Sequence, residues 1–166
     1  MTDLIIRDEA PEDLAAIYAV TRDAFAGKPY ADGDEQDVVD RLRAQGALTE
    51  SLVALRAGEL VGHAAFSPAE VANESPWFAL GPISVRPDCQ GQRIGERLIG
   101  VGLDRLQQRG AGGCILTGDP NYYQRFGFVV TPALCPDNEP GEYFQVRLLA
   151  GPLPTSRFRF HPAFYE

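Results

Sequence analysis

Val85-Arg-Pro-Asp-Cys-Gln-Gly-Gln-Arg-Ile-Gly-Glu-Arg-Leu-Ile99 joins an apolar run to an amphipathic one through a loop that carries two glycines. The run before it, Phe78-Ala-Leu-Gly-Pro-Ile-Ser-Val85, reads as a strand that Pro87 punctuates. A helix is expected to begin within Gln92 to Gly95. Ile99, Leu103 and Leu106 then recur at i, i+4 and i+7, widened by Ile94, Leu98 and Val101, and Gly110 supplies the stop. Where a loop turns into a helix, successive N–H groups lack an intrahelical partner and the helix dipole adds positive potential, so phosphate oxygens can bind there. Gly91 and Gly95 allow a ligand close to the backbone. The stretch therefore reads as a phosphate cradle, although on the loop alone an ordinary strand-to-helix connection carries equal weight. G-x-G-x-x-G is absent, which disfavours a dinucleotide site, and no Gly-Lys-Ser/Thr follows, which excludes a Walker loop.

The 166 residues suit one domain, spanning 1–166, long enough to bury a real core. With 15 Lys and Arg against 23 Asp and Glu, the net charge of −8 argues against nucleic acid or an anionic membrane as partner and suits a cationic or amine-bearing small molecule. Cys89, Cys114 and Cys135 are widely spaced, so neither a disulfide framework nor a zinc site is expected, and a reducing cytoplasm is the plain reading. No metal is expected, since His63 and His161 have no ligand spacing between them. The amino end lacks the pattern of a signal peptide, and no apolar run approaches membrane-spanning length.

Outward from the loop, Leu4-Ile5-Ile6-Arg7 reads as a first strand. Pro11 then opens a helix with Leu14, Ile17, Tyr18, Thr21 and Phe25 on one face. A weaker helix from Glu35 to Gln45 carries Val38, Val39 and Leu42. Ser51–Leu55 and Leu60–Phe66 form a hairpin about Ala57-Gly58-Glu59. Pro82 has no N–H, so ladder pairing in the central strand must be interrupted there, leaving neighbouring groups for a ligand. Gly113–Thr117 is a strand, Asn121–Arg125 a short helix, Phe126–Val130 and Tyr143–Leu149 two further strands, and the aromatic tail from Thr155 packs back. The order is that of a mixed α/β fold whose front half is antiparallel, with a right-handed crossover from Phe78 to Thr117.

This order, with Gln90-Gly91-Gln92-Arg93-Ile94-Gly95 at the crossover and Tyr123-Gln-Arg-Phe-Gly127-Phe128 after it, resembles the GNAT superfamily of acetyl-CoA-dependent N-acetyltransferases. Gly118-Asp-Pro-Asn-Tyr-Tyr-Gln-Arg-Phe-Gly-Phe128 and the His161-Pro-Ala-Phe164 tail look more particularly like its small bacterial YhbS-type branch. The resemblance implies a central mixed sheet of about seven strands flanked by helices. It implies a pyrophosphate on the N–H groups of Gln90, Gly91, Gln92, Arg93, Ile94 and Gly95, and a pantetheine arm along the backbone of Ile83, Ser84 and Val85. Arg93 departs from the family pattern: it stands where a glycine is usual, which should restrict the backbone while offering a side chain to a phosphate.

The implied reaction is acetyl transfer from acetyl-CoA to a primary amine in a ternary complex, with a homodimer also plausible for the family. Tyr123 matches the family's general acid, since a phenol of pKa about 10 stays protonated at neutral pH and can donate to sulfur; Tyr122 is its fallback. The amine must lose a proton, usually to a carboxylate directly or through water, and Glu70 is put first as base, with Glu74, Glu35 and Asp119 as alternatives by loop or strand-end position. His63 reads as a structural histidine, and Cys89 has no neighbouring base to make an acyl-enzyme. A non-catalytic acyl-CoA-binding or sensing domain is the competing function, and the loops Lys28–Asp34 and Ser67–Ser75 are the expected acceptor borders.

Overall fold

The computed structural model describes residues 3–166, and its elements follow the hydrophobic periods of the chain. β1 (Leu4–Asp8) leads through a 3-10 turn into α1 (Leu14–Phe25), and α2 (Glu35–Ala44) follows. α1 buries Ile17, Val20, Thr21 and Ala24, spaced i, i+3, i+4 and i+7. Leu14, expected on that face, is instead 38% exposed. Pro11–Asp13 forms the 3-10 turn, so Leu14 opens the α-helix proper and the buried stripe starts one turn later. α2 buries Val38, Val39 and Leu42 as its spacing predicts.

β2 (Glu50–Arg56) and β3 (Glu59–Ala69) pair antiparallel about Ala57 and Gly58, whose φ values of 54° and 77° belong to the two-residue turn that matches strand twist. β4 (Trp77–Val85), α3 (Ile94–Gln108), β5 (Gly113–Thr117), α4 (Pro120–Tyr123), β6 (Val129–Val130) and β7 (Phe144–Leu148) complete the order. The strands form one seven-stranded mixed sheet, β1-β2-β3-β4-β5-β7-β6, flanked by helices. β4 and β5 are parallel from Trp77↔Gly113 to Ala79↔Ile115, a register that lies before Pro82. The strand expected over Phe126–Val130 is reduced to its last two residues. Phe126 closes a 3-10 turn and Gly127 takes φ 84°, where a Cβ would lie 2.7 Å from Arg147 Nε. No helix among the described residues is long and apolar enough to cross a membrane.

Contacts group the chain into two compact units. The first holds the chain up to Phe66 together with Gly81–Gly102. Here Ile17 of α1, Val39 of α2 and Val53 of β2 make a buried cluster, with Leu48, Leu55 and Leu60 against it. The start of α3 lies against β3: a Cβ on Gly62 would stand 3.0 Å from Ile94 Cγ2 and 3.2 Å from Leu98 Cδ1, and one on Gly102 would stand 2.1 Å from Phe66 Cζ. Side-chain-free positions on strand and helix thus leave room for Ile94, Leu98 and Phe66 between the two elements.

His63 faces Val53 across the hairpin and is fully buried. Ser51 donates to the Glu9 carboxylate, which Arg43 also holds at 2.8 Å, so His63 Nε2–H donates to Ser51 Oγ at 2.7 Å. Nδ1 then carries a lone pair with no hydrogen-bond partner among the described residues. Burial is the largest influence and drives the imidazole pKa down to about 4, so the side chain is neutral. The expected structural histidine is therefore satisfied at one nitrogen only.

The second unit comprises Ser67–Leu80 and Leu103–Glu166. Trp77, Ile115, Phe144, Val146, Phe158 and Phe160 build its core, with Trp77 and Phe158 ring centroids 4.9 Å apart. The aromatic tail does pack back. Arg159 exchanges two backbone hydrogen bonds of 2.9 Å with Glu70, and Phe158 N donates to Leu134 O. All three cysteines are free and buried.

Candidate functional site

In the first unit, β4 ends at Val85, Pro87–Cys89 makes a 3-10 turn, and Gln90–Arg93 lead into α3 at Ile94. Gly91 takes φ 79° and Arg93 takes φ 65°. Arg93 therefore adopts the left-handed conformation that a glycine would adopt without strain, at a cost of about 1 kcal/mol. The side chain does not restrict the loop to ordinary conformations; the surrounding structure imposes the turn on it. Arg97 N, donating to Arg93 O at 3.2 Å, is the first N–H of the helix to reach back. The N–H groups of Ile94, Gly95 and Glu96 have no intrahelical acceptor, as geometry requires of a first turn. Gln90, Gly91, Gln92 and Arg93 are exposed, and Ile94 is anchored in the core. The loop is braced from both sides, by Gln90 Nε2 on Val85 O at 3.2 Å and by Arg56 Nη1 on Gln92 Oε1. Ile83 and Val85 are half-buried; Ser84 between them is 2% exposed, and its Oγ has no partner among the described residues. Cys89 is buried in the turn, and its thiol donates to Asp88 Oδ1 at 3.6 Å, so the structure supplies the neighbouring carboxylate that the sequence reading did not expect.

In the second unit, Asp119 accepts from Asn121 N at 2.9 Å and caps α4, which carries Tyr122 and Tyr123. Both are half-buried. The Tyr123 ring meets Tyr122 edge-on at 4.9 Å and Phe128 at 6.0 Å. Tyr122 takes Arg125 over its face at 4.9 Å. A Cβ on Gly118 would lie 2.6 Å from Tyr123 Cε2, so the absence of a side chain there is what seats the ring. Buried Gln145 donates from Nε2 to Gly118 O at 2.9 Å and holds that backbone.

The carboxylates differ in what they already do. Asp119 is occupied as a cap. Glu35 accepts from Asp32 N at 2.8 Å and Gly33 N at 3.1 Å, tying its own loop. Glu70 is fixed through its backbone while its side chain is exposed, and Glu74 is exposed. Lys28, Ala31, Asp32 and Gly33 line a cavity of about 250 Å³ with Arg22, Phe25 and Gln36, within the first unit.

The Acetyltransferase (GNAT) family profile matches residues 14–128. The chain belongs to the GNAT acetyltransferase family. This GNAT enzyme is 36% identical over 127 residues to YhbS of Escherichia coli strain K12, itself an uncharacterized N-acetyltransferase, across 75% of this chain and 73% of the relative. A crystal structure of YhbS in complex with CoA superposes with a TM-score of 0.89 at 32% identity, covering 100% of this chain and 94% of that one. A GNAT family acetyltransferase from Brucella melitensis, solved in complex with acetyl-CoA, gives a TM-score of 0.86 at 42% identity over 98% of each chain.

Reading the GNAT sequence alone misses three residues that hold these positions. Arg56 braces Gln92, yet nothing in a strand-end arginine marks it. Gln145 lies in an apolar run, where a lone buried amide is a signal that could have been pursued. Gly118 stands in the motif, but its steric role depends on where the Tyr123 ring falls.

Proposed function

We propose that the protein transfers the acetyl group of acetyl-CoA to a primary amine by direct attack. The observation that carries this reading is the Gln90–Gly95 loop, whose two left-handed residues turn it onto the first N–H groups of a 15-residue helix. In this reading those N–H groups bind the pyrophosphate and the backbone of Ile83, Ser84 and Val85 pairs with the pantetheine arm. The acetyl-CoA and CoA complexes of the two related structures support that choice of donor.

The amine nitrogen attacks the thioester carbonyl and a C–N bond forms. A backbone N–H of the Ile83–Val85 stretch stabilises the developing oxyanion. Collapse breaks the C–S bond, Tyr123 gives its phenolic proton to the departing thiolate, and the proton lost by the amine passes to a carboxylate, for which Glu70 is our first choice. The loops Lys28–Asp34 and Ser67–Ser75 border the acceptor. A chain of net charge −8 favours the approach of a cationic amine.

Calorimetric titration with acetyl-CoA should show binding to the wild type and none to Gly95→Trp, which blocks backbone access to the pyrophosphate. Turnover with a panel of amines should then fall about 10²-fold or more in Tyr123→Phe while acetyl-CoA still binds. A folded wild type that does not bind acetyl-CoA refutes the donor, and an unchanged kcat in Tyr123→Phe refutes the acid.

A further inference from the structure

Past Ala79↔Ile115 the pairing of β4 with β5 ends, while β7 accompanies β5 as far as Thr117↔Phe144. Thr117 therefore closes β5 where its β4 side has opened. The two faces of the strand differ there, since side chains alternate. Leu116 Cδ1 and Tyr123 Cε2 both lie within 3.5 Å of the Cβ that Gly118 lacks, so one face carries the tyrosine. Ile115 and Thr117 take the other face, where Ile115 shares a cluster with Trp77, Phe158 and Phe160. On that face Thr117 Oγ1 donates to Glu139 Oε1 at 3.1 Å, and Tyr165 Oη donates to Glu139 Oε2 at 2.8 Å. The segment that carries Glu139 is itself fixed. Its N–H donates to Pro136 O at 3.1 Å, and the Cys135 thiol donates to its carbonyl at 3.3 Å. Burial, and then the carboxylate, push the Tyr165 hydroxyl well above the usual tyrosine range, so it remains a donor. Arg157 pairs with nearby Asp137, yet no Arg, Lys or His pairs with Glu139 among the described residues.

We propose that Glu139 binds the ammonium form of the acceptor amine on the face of the sheet opposite Tyr123, with Tyr165 and Thr117 as positioning residues. The assignment rests on the amine-transfer reading above and adds a specificity residue to it. Each carboxylate oxygen accepts one hydroxyl and keeps a lone-pair site, so the group holds its orientation and still accepts N–H donors. A half-buried carboxylate with no cation beside it anchors an ammonium more firmly than a fully solvated one does. Opposite faces also separate the two ends of the reaction. The amine reaches the thioester from the Glu139 side, and the proton for the departing thiolate comes from the Tyr123 side. The bound ammonium gives its proton to the base, and the neutral nitrogen then attacks.

The test is steady-state kinetics with butylamine and with spermidine at saturating acetyl-CoA, with acetyl-CoA affinity measured separately by calorimetry. Glu139→Gln, which keeps the shape and removes the charge, should raise the KM of either amine about tenfold, the worth of one charge-assisted contact. Its kcat should stay within about threefold of wild type, and its acetyl-CoA affinity within about twofold. Tyr165→Phe should raise KM about threefold in the wild-type chain and add nothing beside Glu139→Gln, because it acts through the carboxylate. A Glu139→Gln enzyme with the wild-type KM overturns the proposal. So does one whose kcat falls while KM holds and whose pH profile loses its acidic limb, because Glu139 would then be the base. Loss of acetyl-CoA binding in Glu139→Gln would mark the residue as structural and overturn it too, and a Tyr165→Phe effect that persists beside Glu139→Gln would overturn the positioning role. A wild type that binds acetyl-CoA but acetylates neither amine would refute the amine-transfer reading, and this assignment with it.

Discussion

Lowering the pH from 7 to 5 should destabilise the protein through His63. The neutral imidazole uses Nε2–H to reach Ser51 Oγ, and its Nδ1 lone pair faces no donor, so protonation would create a buried N–H with no acceptor. Of the charged groups around it, Glu9 and Asp13 favour the cation and Arg43 opposes it, but burial outweighs them and sets the pKa at about 4. In the unfolded chain the same side chain titrates near 6.5. The unfolded state therefore takes up its proton first, and stability falls as pH drops from 6.5 toward 4. At 1.36 kcal/mol for each tenfold in proton affinity, the full loss is about 3 kcal/mol, of which about 2 kcal/mol has occurred by pH 5. Burial raises Glu9, but its bonds to Arg43 and Ser51 outweigh that, and Arg7 lowers Asp13, so both stay ionised in the native state across this window. Their stabilisation is present above the ordinary carboxylate range and is lost only below it. Urea denaturation should show the midpoint falling by about 1 M between pH 7 and pH 5, taking an m-value of about 2 kcal/mol/M. His63→Gln keeps a donor for Ser51 and cannot titrate, so its midpoint should be nearly flat over the same range. A wild-type midpoint that does not move, or a variant that moves with it, would refute the argument.

Gly118→Ala would place a Cβ 2.6 Å from Tyr123 Cε2 and force the ring aside; kcat should drop about tenfold with acetyl-CoA affinity retained, and an unchanged kcat would detach the ring position from catalysis. Gly102→Ala meets Phe66 Cζ at 2.1 Å, an overpacking expected to cost about 1–3 kcal/mol. Thermal melts should show that loss, and Phe66→Leu in the same chain should recover much of it, whereas an unstable double variant would mean the clash is not with Phe66. Ser84→Ala removes a buried hydroxyl without a partner, so the free protein should melt at the same temperature or slightly higher; a marked loss would reveal a hydrogen bond that Oγ makes.

The layout was legible because each element carries its own signal: two short apolar runs about a tight turn from Ser51 to Phe66, helical spacing from Ile94 to Leu106, with Pro and Gly between. Where the reading failed, tertiary contacts had overridden local pattern. Leu14 has the right residue type for the buried stripe of α1 but stands in the turn that Pro11 imposes. Phe126–Val130 has strand composition throughout, yet Phe126 closes a 3-10 turn and Gly127 caps it at φ 84°, so only Val129 and Val130 extend. The candidate site divides the same way. The residue types in the loop and on α4 were visible as motifs, since a phosphate cradle needs glycine and a helix start wherever it occurs. The braces were not, because Arg56 to Gln92 and Gln145 to Gly118 span 36 and 27 positions, and no local period encodes them. Arg93 falls between these cases. Its departure from glycine could be read from the chain, and the expected consequence was a loop forced into another conformation. Instead the φ of 65° shows the fold holding a strained arginine in place, with Arg56 and Ile94 fixing the residues on either side. A cost of about 1 kcal/mol persists only where neighbouring contacts over-determine the backbone. That arrangement leaves the guanidinium in solvent, free to meet an anion.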